Sequence, residues 1–323
     1  MKSVATLAML ALTAGTGAAL AQGTAQYPNR TLRIVVPSPA GGPSDVGARV
    51  VGEKMAAGLG QPVVIENRAG GNNVIGTQVV ARAAPDGYTL LMALDSTLTM
   101  HPSLYAKLPY DAARDFAPVA LAFWSPILMI TNAATGPKTV KELIQAAKAN
   151  PGKLSFGAGT LTTRLGGELL KSQLAADLLI VPYKGSAGTT QGLLSNDVTF
   201  ILDGATTGMP HIRSGKFRVL ANLSQRTVAA LPNLPKFATE AGMPGFDVSV
   251  WLGFVAPAGT PTDIIATLNQ EIVRILGLPE VKEKLSSIGL EPAGGTPAEF
   301  ESFIRAETER WSRVIKASGF RAE

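Results

Sequence analysis

The sequence predicts an α/β protein built from two lobes. Short apolar runs alternate along the 323-residue chain with longer segments of helical periodicity, which is the pattern of an α/β fold. Roughly 300 residues remain after a predicted leader, more than one typical α/β core holds, so two lobes are expected. Because no long Pro- or Ser-rich linker divides the chain, extended segments are expected to cross between the lobes.

The N-terminus has the features of an export signal. Lys2 is followed by an apolar run that ends at Ala19, Leu20 and Ala21. A short charged region, an apolar region and a small-x-small site predict a signal peptide over residues 1–21, removed near Ala21. The run is poor as a membrane anchor, because its apolar core is short and contains Gly and Thr. The alternative, an N-terminal helix of the folded domain, is disfavoured because no polar residues alternate within the run.

The first strand leads into a glycine-rich loop. An apolar strand over 32–36 is followed by a small-residue loop, and a helix is predicted to start near Asp45. The first turn of a helix has unpaired N–H groups and a partial positive charge, and Gly41 and Gly42 leave the backbone accessible. The pattern predicts a seat for an anion. An ordinary turn between strand and helix would have the same spacing.

The remaining elements continue this alternation. Thr139 with Glu142 is a capping box that begins a helix. The same box is predicted at Thr260 with Asp263 and at Thr296 with Glu299, each with Pro at the first helical position. The strand candidates are apolar runs at 32–36, 62–66, 89–94, 127–131, 154–157, 178–182, 198–202, 217–221 and 248–255.

The C-terminal segment is predicted to be an amphipathic helix. Its apolar residues recur at helical spacing at Phe300, Ile304, Trp311 and Ile315. A core role for Trp311 explains this stripe better than a ligand cage does.

Two aromatic-rich stretches, 123–125 and 250–252, are the candidate crossings between lobes. They divide the chain into a discontinuous first lobe, residues 22–125 plus 250–323, and a second lobe, residues 126–249. The ligand cleft is expected between the two.

Composition excludes several classes of function. The chain has no cysteine, so disulfides, a lipid anchor on cysteine and Cys-ligated metals are excluded. His101 and His211 lie far apart and next to prolines, which predicts loop positions and makes a zinc site or a Ser-His-Asp triad a poor fit. The net charge of +5 becomes +4 when Lys2 is removed, and the basic residues are scattered. Neither nucleic-acid binding nor a metal or cofactor is therefore predicted.

The chain resembles the Bug family of substrate-binding proteins, which serve the tripartite tricarboxylate transporters. The resemblance spans nearly all of the mature sequence. Its motifs recur in the same order and with similar spacing at 27–30, 32–45, 60–68, 85–90, 108–111, 181–185, 256–261 and 309–315.

This resemblance implies a two-lobed periplasmic-binding-protein fold, a Venus flytrap similar to type II, which closes on a small carboxylate. It implies a periplasmic receptor that delivers a di- or tricarboxylate or an aromatic acid to a membrane permease, and a monomer is expected. The alternative is a sensor that presents the bound carboxylate to a membrane signalling partner. An enzyme is less favoured, because neither a dinucleotide fingerprint nor a P-loop is present.

A second glycine-rich loop, at 156–164, repeats the strand, glycine, hydroxyl and helix pattern. Arg164 is its informative residue, because a cation in the first turn of a helix opposes the helix dipole unless an anion lies near. The family usually has histidine here, and Arg164 would offer a forked donor to a carboxylate worth on the order of 2–4 kcal/mol of binding. The alternative is a solvated side chain or an ion pair with Glu168.

Ser38 is a second departure from the family, which commonly has an aromatic residue between Pro37 and Pro39. The small side chain would enlarge the cleft for a bulkier ligand such as an aromatic acid, unless it points away. Lys184 and Asp203 follow or end predicted strands and are weaker candidates. Lys184 is also consistent with a solvated side chain, and Asp203 would repel a dianion unless it bonds a hydroxyl, an amine or a water. The predicted ligand-binding residues are Ser38, Pro39, Ala40, Gly41, Gly42, Asp45, Asn73, Ser96, Gly159, Thr160, Thr162, Thr163, Arg164, Tyr183 and Asp203.

Overall fold

The computed structural model describes residues 27–321, so the predicted signal peptide lies outside the described residues. Strands and helices alternate through this part of the chain, which confirms the α/β class. The first segment contains β1 (Leu32–Val36), α1 (Pro43–Leu59), β2 (Val63–Asn67), α2 (Val74–Ala81), β3 (Thr89–Leu94), α3 (Asp95–Thr99) and α4 (His101–Leu104).

A long strand, β4 (Phe116–Asn132), leads into the middle of the chain, and a second long strand, β9 (Ser249–Pro257), leaves it. The middle segment contains α5 (Val140–Ala149), β5 (Ser155–Ala158), α6 (Leu161–Leu174), β6 (Leu179–Pro182), α7 (Ser186–Leu194), β7 (Phe200–Gly204), α8 (Ala205–Arg213), β8 (Phe217–Asn222) and α9 (Phe237–Glu240). The last segment contains α10 (Thr262–Gly277), α11 (Pro279–Ser287), β10 (Glu291–Pro292) and α12 (Pro297–Ser318).

The strands form one continuous hydrogen-bonded path in the order β2-β1-β3-β9-β4-β7-β5-β6. β1 is parallel to β2 and β3, and β5 is parallel to β6 and β7. The long strands β4 and β9 are antiparallel to each other and connect these two parallel groups. The result is the two-lobed, curled α/β architecture of a flytrap.

Strand β4 changes partners along its length. Residues 116–126 pair with β9, whereas residues 127–132 pair with β7 and β8. The change occurs beside the predicted crossing at 123–125. The assignment of residues 22–125 plus 250–323 and 126–249 to separate lobes stays a prediction, because strand pairing alone does not show two independent bodies.

The sequence located only the second part of β4, at 127–131. The missed part contains Pro118 and Pro126, which lack the N–H that a strand normally donates. Register shifts between Pro118 and Ala120 and between Leu121 and Phe123 accommodate this part of the strand. Long-range pairing with β9 therefore outweighs the local preference.

At two of the three predicted capping boxes, the threonine side chain caps the start of the helix as predicted. Thr296 and Glu299 form the full reciprocal box, and Thr139 Oγ1 accepts from the Glu142 N–H at 3.0 Å. The box predicted at Thr260 is wrong, because the Thr260 hydroxyl donates to the Pro257 carbonyl and α10 begins after Pro261.

Both histidines lie in helices, so the predicted loop positions are wrong. His101 is the first residue of α4 and is fully buried, with Nδ1 2.7 Å from the Tyr110 hydroxyl. His211 lies in α8. Tertiary packing holds short helices here despite the flanking prolines.

Helix α12 has the predicted buried stripe, with Phe300, Trp311 and Ile315 in the core. The Trp311 indole N–H donates to Glu307 at 3.1 Å. Trp311 packs in one cluster with Met100 and with Leu165 of α6, so this helix joins segments that are distant in sequence.

Candidate ligand-binding cleft

A cavity of about 200 Å³ lies where the two halves of the chain meet. The first-lobe loop before α1, the starts of α6, α7 and α8, and the long strands β4 and β9 all contribute to its wall. The wall residues are Ser38, Pro39, Ala40, Gly41, Gly42, Pro43, Ser44, Leu94, Ser125, Ile127, Thr160, Thr163, Lys184, Gly185, Ser186, Ala187, Asp203, Gly204, Thr207, Val250 and Leu252.

Besides the five-residue α3, four longer helices begin at this cavity. The residues that precede α1, α6, α7 and α8 are Gly42, Thr160, Gly185 and Gly204, and all four line the wall. The three glycines provide no side-chain cap, so the first N–H groups of their helices are left for other acceptors. Four helix N-termini give the cavity a positive potential without requiring several cationic side chains.

The first-lobe loop is held in place by Asp45. Gly41 has a φ of +83°, and its N–H donates to Asp45 Oδ2 at 2.9 Å. Arg49 donates to the other carboxylate oxygen at 3.0 Å. Although burial opposes the shift, the hydrogen bonds from Arg49 and Gly41 lower the pKa of Asp45. Asp45 thus positions the loop, and within this loop the donors left without an acceptor are those of Gly42 and the first turn of α1.

The second-lobe loop is fixed by a reciprocal cap. The Thr163 N–H donates to Thr160 Oγ1 at 3.2 Å, and the Thr160 N–H donates to Thr163 Oγ1 at 3.1 Å. Gly159 permits the loop before α7 to approach closely, because a Cβ on Gly159 would lie 2.8 Å from the Gly185 carbonyl carbon. The starts of α6 and α7 are therefore held side by side.

Asp203 occupies the space between the starts of α7 and α8. Its buried carboxylate accepts from the Ser186 hydroxyl at 2.6 Å, from the Gly204 N–H at 2.8 Å and from the Thr189 hydroxyl. Burial raises the pKa of Asp203, against the opposing effect of these three donors. The Asp203 carboxylate thus accepts hydrogen bonds at the starts of both helices and offsets part of the positive charge of their dipoles.

The central strands contribute mainly apolar side chains to the cleft. These are Leu94 at the end of β3, Ile127 on β4, and Val250 and Leu252 on β9, and Ser125 of β4 is the polar residue among them. These residues lie on the central strands, so their positions are set by sheet register.

The structure distributes the fifteen predicted site residues over three places. Eight line the main cavity: Ser38, Pro39, Ala40, Gly41, Gly42, Thr160, Thr163 and Asp203. Gly159, Arg164 and Tyr183 line an adjoining pocket, which shares Thr160 with the main cavity. Asp45, Asn73, Ser96 and Thr162 are outside both walls. Which of these residues contact a ligand stays a prediction.

Arg164 lies against the C-terminal segment. Its guanidinium carbon is 4.2 Å from the centroid of the Phe320 ring, which is a cation–π arrangement. The predicted alternative of an ion pair with Glu168 is not found among the salt bridges of residues 27–321. Arg164 thus faces the adjoining pocket in this structure, whereas the main cavity is lined by Thr160 and Thr163 of the same loop.

Thr162 and Ser96 contact Asp95, a residue that the sequence did not single out. Thr162 Oγ1 donates to Asp95 Oδ2 at 2.7 Å, and the Ser96 N–H donates to Asp95 Oδ1 at 2.7 Å. Burial raises the pKa of Asp95 to about 7, although both of these hydrogen bonds lower it. The Thr162–Asp95 bond joins α6 to α3, and so connects the two halves of the chain beside the cleft.

The sequence pointed to Lys184 and Asp203 at the ends of β6 and β7, but it missed the glycine and hydroxyl residues beside them. Gly185 with Ser186, and Gly204 with Thr207, repeat the pattern of strand, glycine and hydroxyl that identified the first loop, so this signal was available. The inward-facing residues of β4 and β9 had no comparable signal, because both faces of these strands are apolar.

Among residues 27–321, no group of His, Asp and Glu has an arrangement that could hold a metal ion. In the same part of the chain, no helix is both long enough and apolar enough to cross a membrane.

The two-lobed fold and the interlobe cavity with four converging helix N-termini define a solute-binding protein of the flytrap class. A model of the family described as "Tripartite tricarboxylate transporter family receptor" matches residues 47–320. The chain belongs to this receptor family, which confirms the expectation from its motifs.

Similar proteins extend over nearly the whole chain. A "UPF0065 protein in tcbD-tcbE intergenic region" of Pseudomonas sp. is 38% identical and covers 96% of this chain and 92% of its own. BugT of Bordetella pertussis is 36% identical and covers 98% and 97%.

Two solved structures show the same fold. An R. palustris protein solved with adipate has a TM-score of 0.86 at 33% identity, and covers 91% of this chain and 99% of its own. MatC from Rhodopseudomonas palustris, solved with bound malate, has a TM-score of 0.80 at 32% identity, and covers 90% and 100%.

Proposed function

We propose that this protein captures a small organic carboxylate in the interlobe cleft and delivers it to a membrane permease of the tripartite tricarboxylate transporter type. The observation that carries the proposal is the convergence of four helix N-termini on one cavity. Such a cavity stabilises an anion through backbone N–H groups and helix dipoles. The similar proteins solved with adipate and malate support an acid as the ligand.

Thermal denaturation with a panel of acids tests this function. A ligand that binds only the folded state stabilises it by about 2.7 kcal/mol at a concentration one hundred times its Kd. Carboxylates are expected to raise the Tm, whereas the amides of the same acids are not. Stabilisation by sugars or cations together with no response to any acid would refute the proposal.

The proposed role is binding without chemical change. Acid recovered after long incubation with the protein is expected to be unaltered by NMR spectroscopy. Conversion of the acid into another compound would instead support an enzyme.

Export and assembly complete the proposal. The mature protein is expected in the periplasm as a monomer that begins near Gln22. Mass spectrometry of the periplasmic fraction tests the cleavage site, and light scattering tests the monomer.

A further inference from the structure

We infer that Ser125 of β4 and Thr207 of α8 bind the ligand, and that their hydroxyls donate hydrogen bonds to a ligand oxygen at the start of α8. This inference rests on the proposed function, since it names two donors of the same cleft and the group that they recognise. Both side chains lie on the cavity wall, and neither was singled out by its sequence pattern. The inference follows from their burial and from the lack of a protein partner for either hydroxyl.

The start of α8 differs from the start of α6 in how its threonine hydroxyl is used. At α6, Thr160 and Thr163 form a reciprocal cap in which each hydroxyl accepts from the other residue's N–H. The corresponding residues at α8 are Gly204, which has no side chain, and Thr207. The Gly204 N–H instead donates to Asp203 Oδ1 at 2.8 Å. Thr207 therefore closes no such cap, and its buried hydroxyl oxygen has no hydrogen-bond partner among residues 27–321.

Strand register brings Ser125 to the same helix start. Ile127 of β4 pairs with Gly204, the last residue of β7, and Ser125 lies two positions earlier on the same face of β4. A Cβ on Gly204 would lie 2.5 Å from Ser125 Oγ, so the glycine leaves room for this hydroxyl beside the backbone. Ser125 is 2% exposed, and its hydroxyl makes no hydrogen bond to any residue that the structure describes.

The chemistry of this helix start favours a hydrogen-bond acceptor as the bound group. Helix α8 has nine residues, and within the described chain the N–H groups of Ala205 and Thr206 have no acceptor. The partial positive charge at the helix N-terminus stabilises an oxygen that carries negative charge. The two hydroxyls can turn their hydrogens toward such an oxygen. The group recognised is therefore an oxygen acceptor, such as a carboxylate or keto oxygen, and not an ammonium group.

The lack of protein partners separates the effect of these hydroxyls on binding from their effect on folding. A buried hydroxyl without a partner is unfavourable, because it has lost its hydrogen bonds to water. A ligand oxygen provides the missing partner only in the complex. Removing either hydroxyl should thus weaken binding without destabilising the ligand-free protein. A hydrogen bond to a charged acceptor corresponds to about tenfold or more in affinity.

Calorimetry with Thr207→Val and Thr207→Ser tests the inference. The probe is the tightest-binding acid of a panel that includes adipate, malate and benzoate. Valine keeps the shape of threonine without the hydroxyl, so Thr207→Val is expected to bind at least tenfold more weakly. Thr207→Ser keeps the hydroxyl and is expected to retain most of the affinity.

The outcomes separate this inference from the proposed function. Wild-type affinity in Thr207→Val, or an equal loss in Thr207→Ser, would overturn the inference while the proposed function stands. If no acid of the panel binds to the wild type, the proposed function fails, and the inference fails with it.

Ser125→Ala and a matched control provide the second measurement. Ser125→Ala is expected to bind the same acid at least tenfold more weakly. Thr190 of α7 also has a buried hydroxyl oxygen without a partner in the described structure, but it lies outside the cavity wall. Thr190→Val is therefore expected to bind like the wild type.

Urea denaturation of the ligand-free variants completes the test. Ser125→Ala, Thr207→Val and Thr190→Val remove no protein hydrogen bond, so each is expected to keep the urea midpoint of the wild type or to exceed it. Wild-type affinity in Ser125→Ala, or a loss of affinity that is matched by a loss of stability, would overturn the inference.

Discussion

At the scale of single residues, Gly42 is where a side chain would interfere most directly with an anion at α1. Its φ of −82° is accessible to any residue, and a Cβ there has 3.8 Å to its nearest neighbour. We therefore expect Gly42→Val to fold normally and to lose at least a hundredfold in acid affinity, because the valine side chain would cover the N–H donors. Calorimetry gives the affinity and urea denaturation the stability.

Gly277→Val is the matched control for this change. Gly277 also has open space around a Cβ, but it lies at the end of α10, outside the cavity wall. The control is expected to bind like the wild type. Normal binding by Gly42→Val would remove the loop from the ligand site.

Arg164 shows how a side chain's surroundings change its expected contribution. The sequence alone predicted a loss of 2–4 kcal/mol on its removal, on the assumption of a direct contact with the ligand. Because its guanidinium lies over Phe320, we expect Arg164→Ala to weaken acid binding by less than tenfold, or about 1.4 kcal/mol. A larger loss in calorimetry, partly restored by Arg164→Lys, would show that Arg164 contacts the ligand in the bound state.

At the scale of elements, we expect the loop before α1 to be positioned by the hydrogen bond from the Gly41 N–H to Asp45 more than by the ion pair between Asp45 and Arg49. Asp45→Ala removes the acceptor of the Gly41 N–H, so the loop loses its fixed geometry. We expect at least tenfold weaker acid binding and a free energy of unfolding lower by about 1–2 kcal/mol. Calorimetry and urea denaturation measure the two effects.

Arg49→Ala separates the two contacts of Asp45. It removes the ion pair and leaves the Gly41–Asp45 hydrogen bond in place. Arg49 is 53% exposed, so its loss is expected to cost less than about 1 kcal/mol and to leave binding nearly unchanged. If both variants weakened binding equally, the ion pair would be the feature that positions the loop.

At the scale of the whole molecule, the contact between α3 and α6 predicts a pH-dependent stability. Asp95 has a pKa of about 7 in the folded protein, against about 4 in an unfolded chain. Its contribution to stability is therefore full at low pH and falls as the pH rises from about 4 to about 7. Glu307 raises the pKa of Asp95 further, and Arg310 lowers it.

His101 contributes a pH dependence of stability opposite to that of Asp95. Burial lowers its pKa to about 4, so between about pH 4 and 6.5 the unfolded chain holds the extra proton and stability rises with pH. In the wild type, the opposite effects of Asp95 and His101 on the pH dependence of stability partly cancel between about pH 4 and 6.5. In Asp95→Asn, the pH dependence of stability that comes from His101 remains without the opposing contribution of Asp95.

We expect the stability of Asp95→Asn relative to wild type to increase by about 2–3 kcal/mol between pH 4.5 and 7.5. The amide keeps an acceptor for one neighbour and a donor for the other, so the contact with Thr162 is retained. Urea denaturation at several pH values measures the difference. A difference that stays constant with pH would mean that Asp95 is ionised throughout this range in the folded state.

The sequence by itself determined the features that depend on residues within a few positions of each other. The α/β class follows from the alternation of apolar runs, and the glycine loop before α1 and the capping box at Thr296 follow from local backbone chemistry. Family motifs distributed over the mature chain identified the receptor class. Such signals can be recognised without coordinates, because they are local or are repeated along the chain.

Only the tertiary structure decided which of these loops meet. The convergence of four helix N-termini depends on the order of strands in the sheet, and the first part of β4 becomes a strand only by pairing with β9. Thr162 donates a hydrogen bond to Asp95, 67 positions away in the sequence, and Arg164 stacks on Phe320. Side-chain directions and strand register are set by such distant contacts. For this reason the sequence could name residues of the cleft but could not separate those on its wall from those that support it.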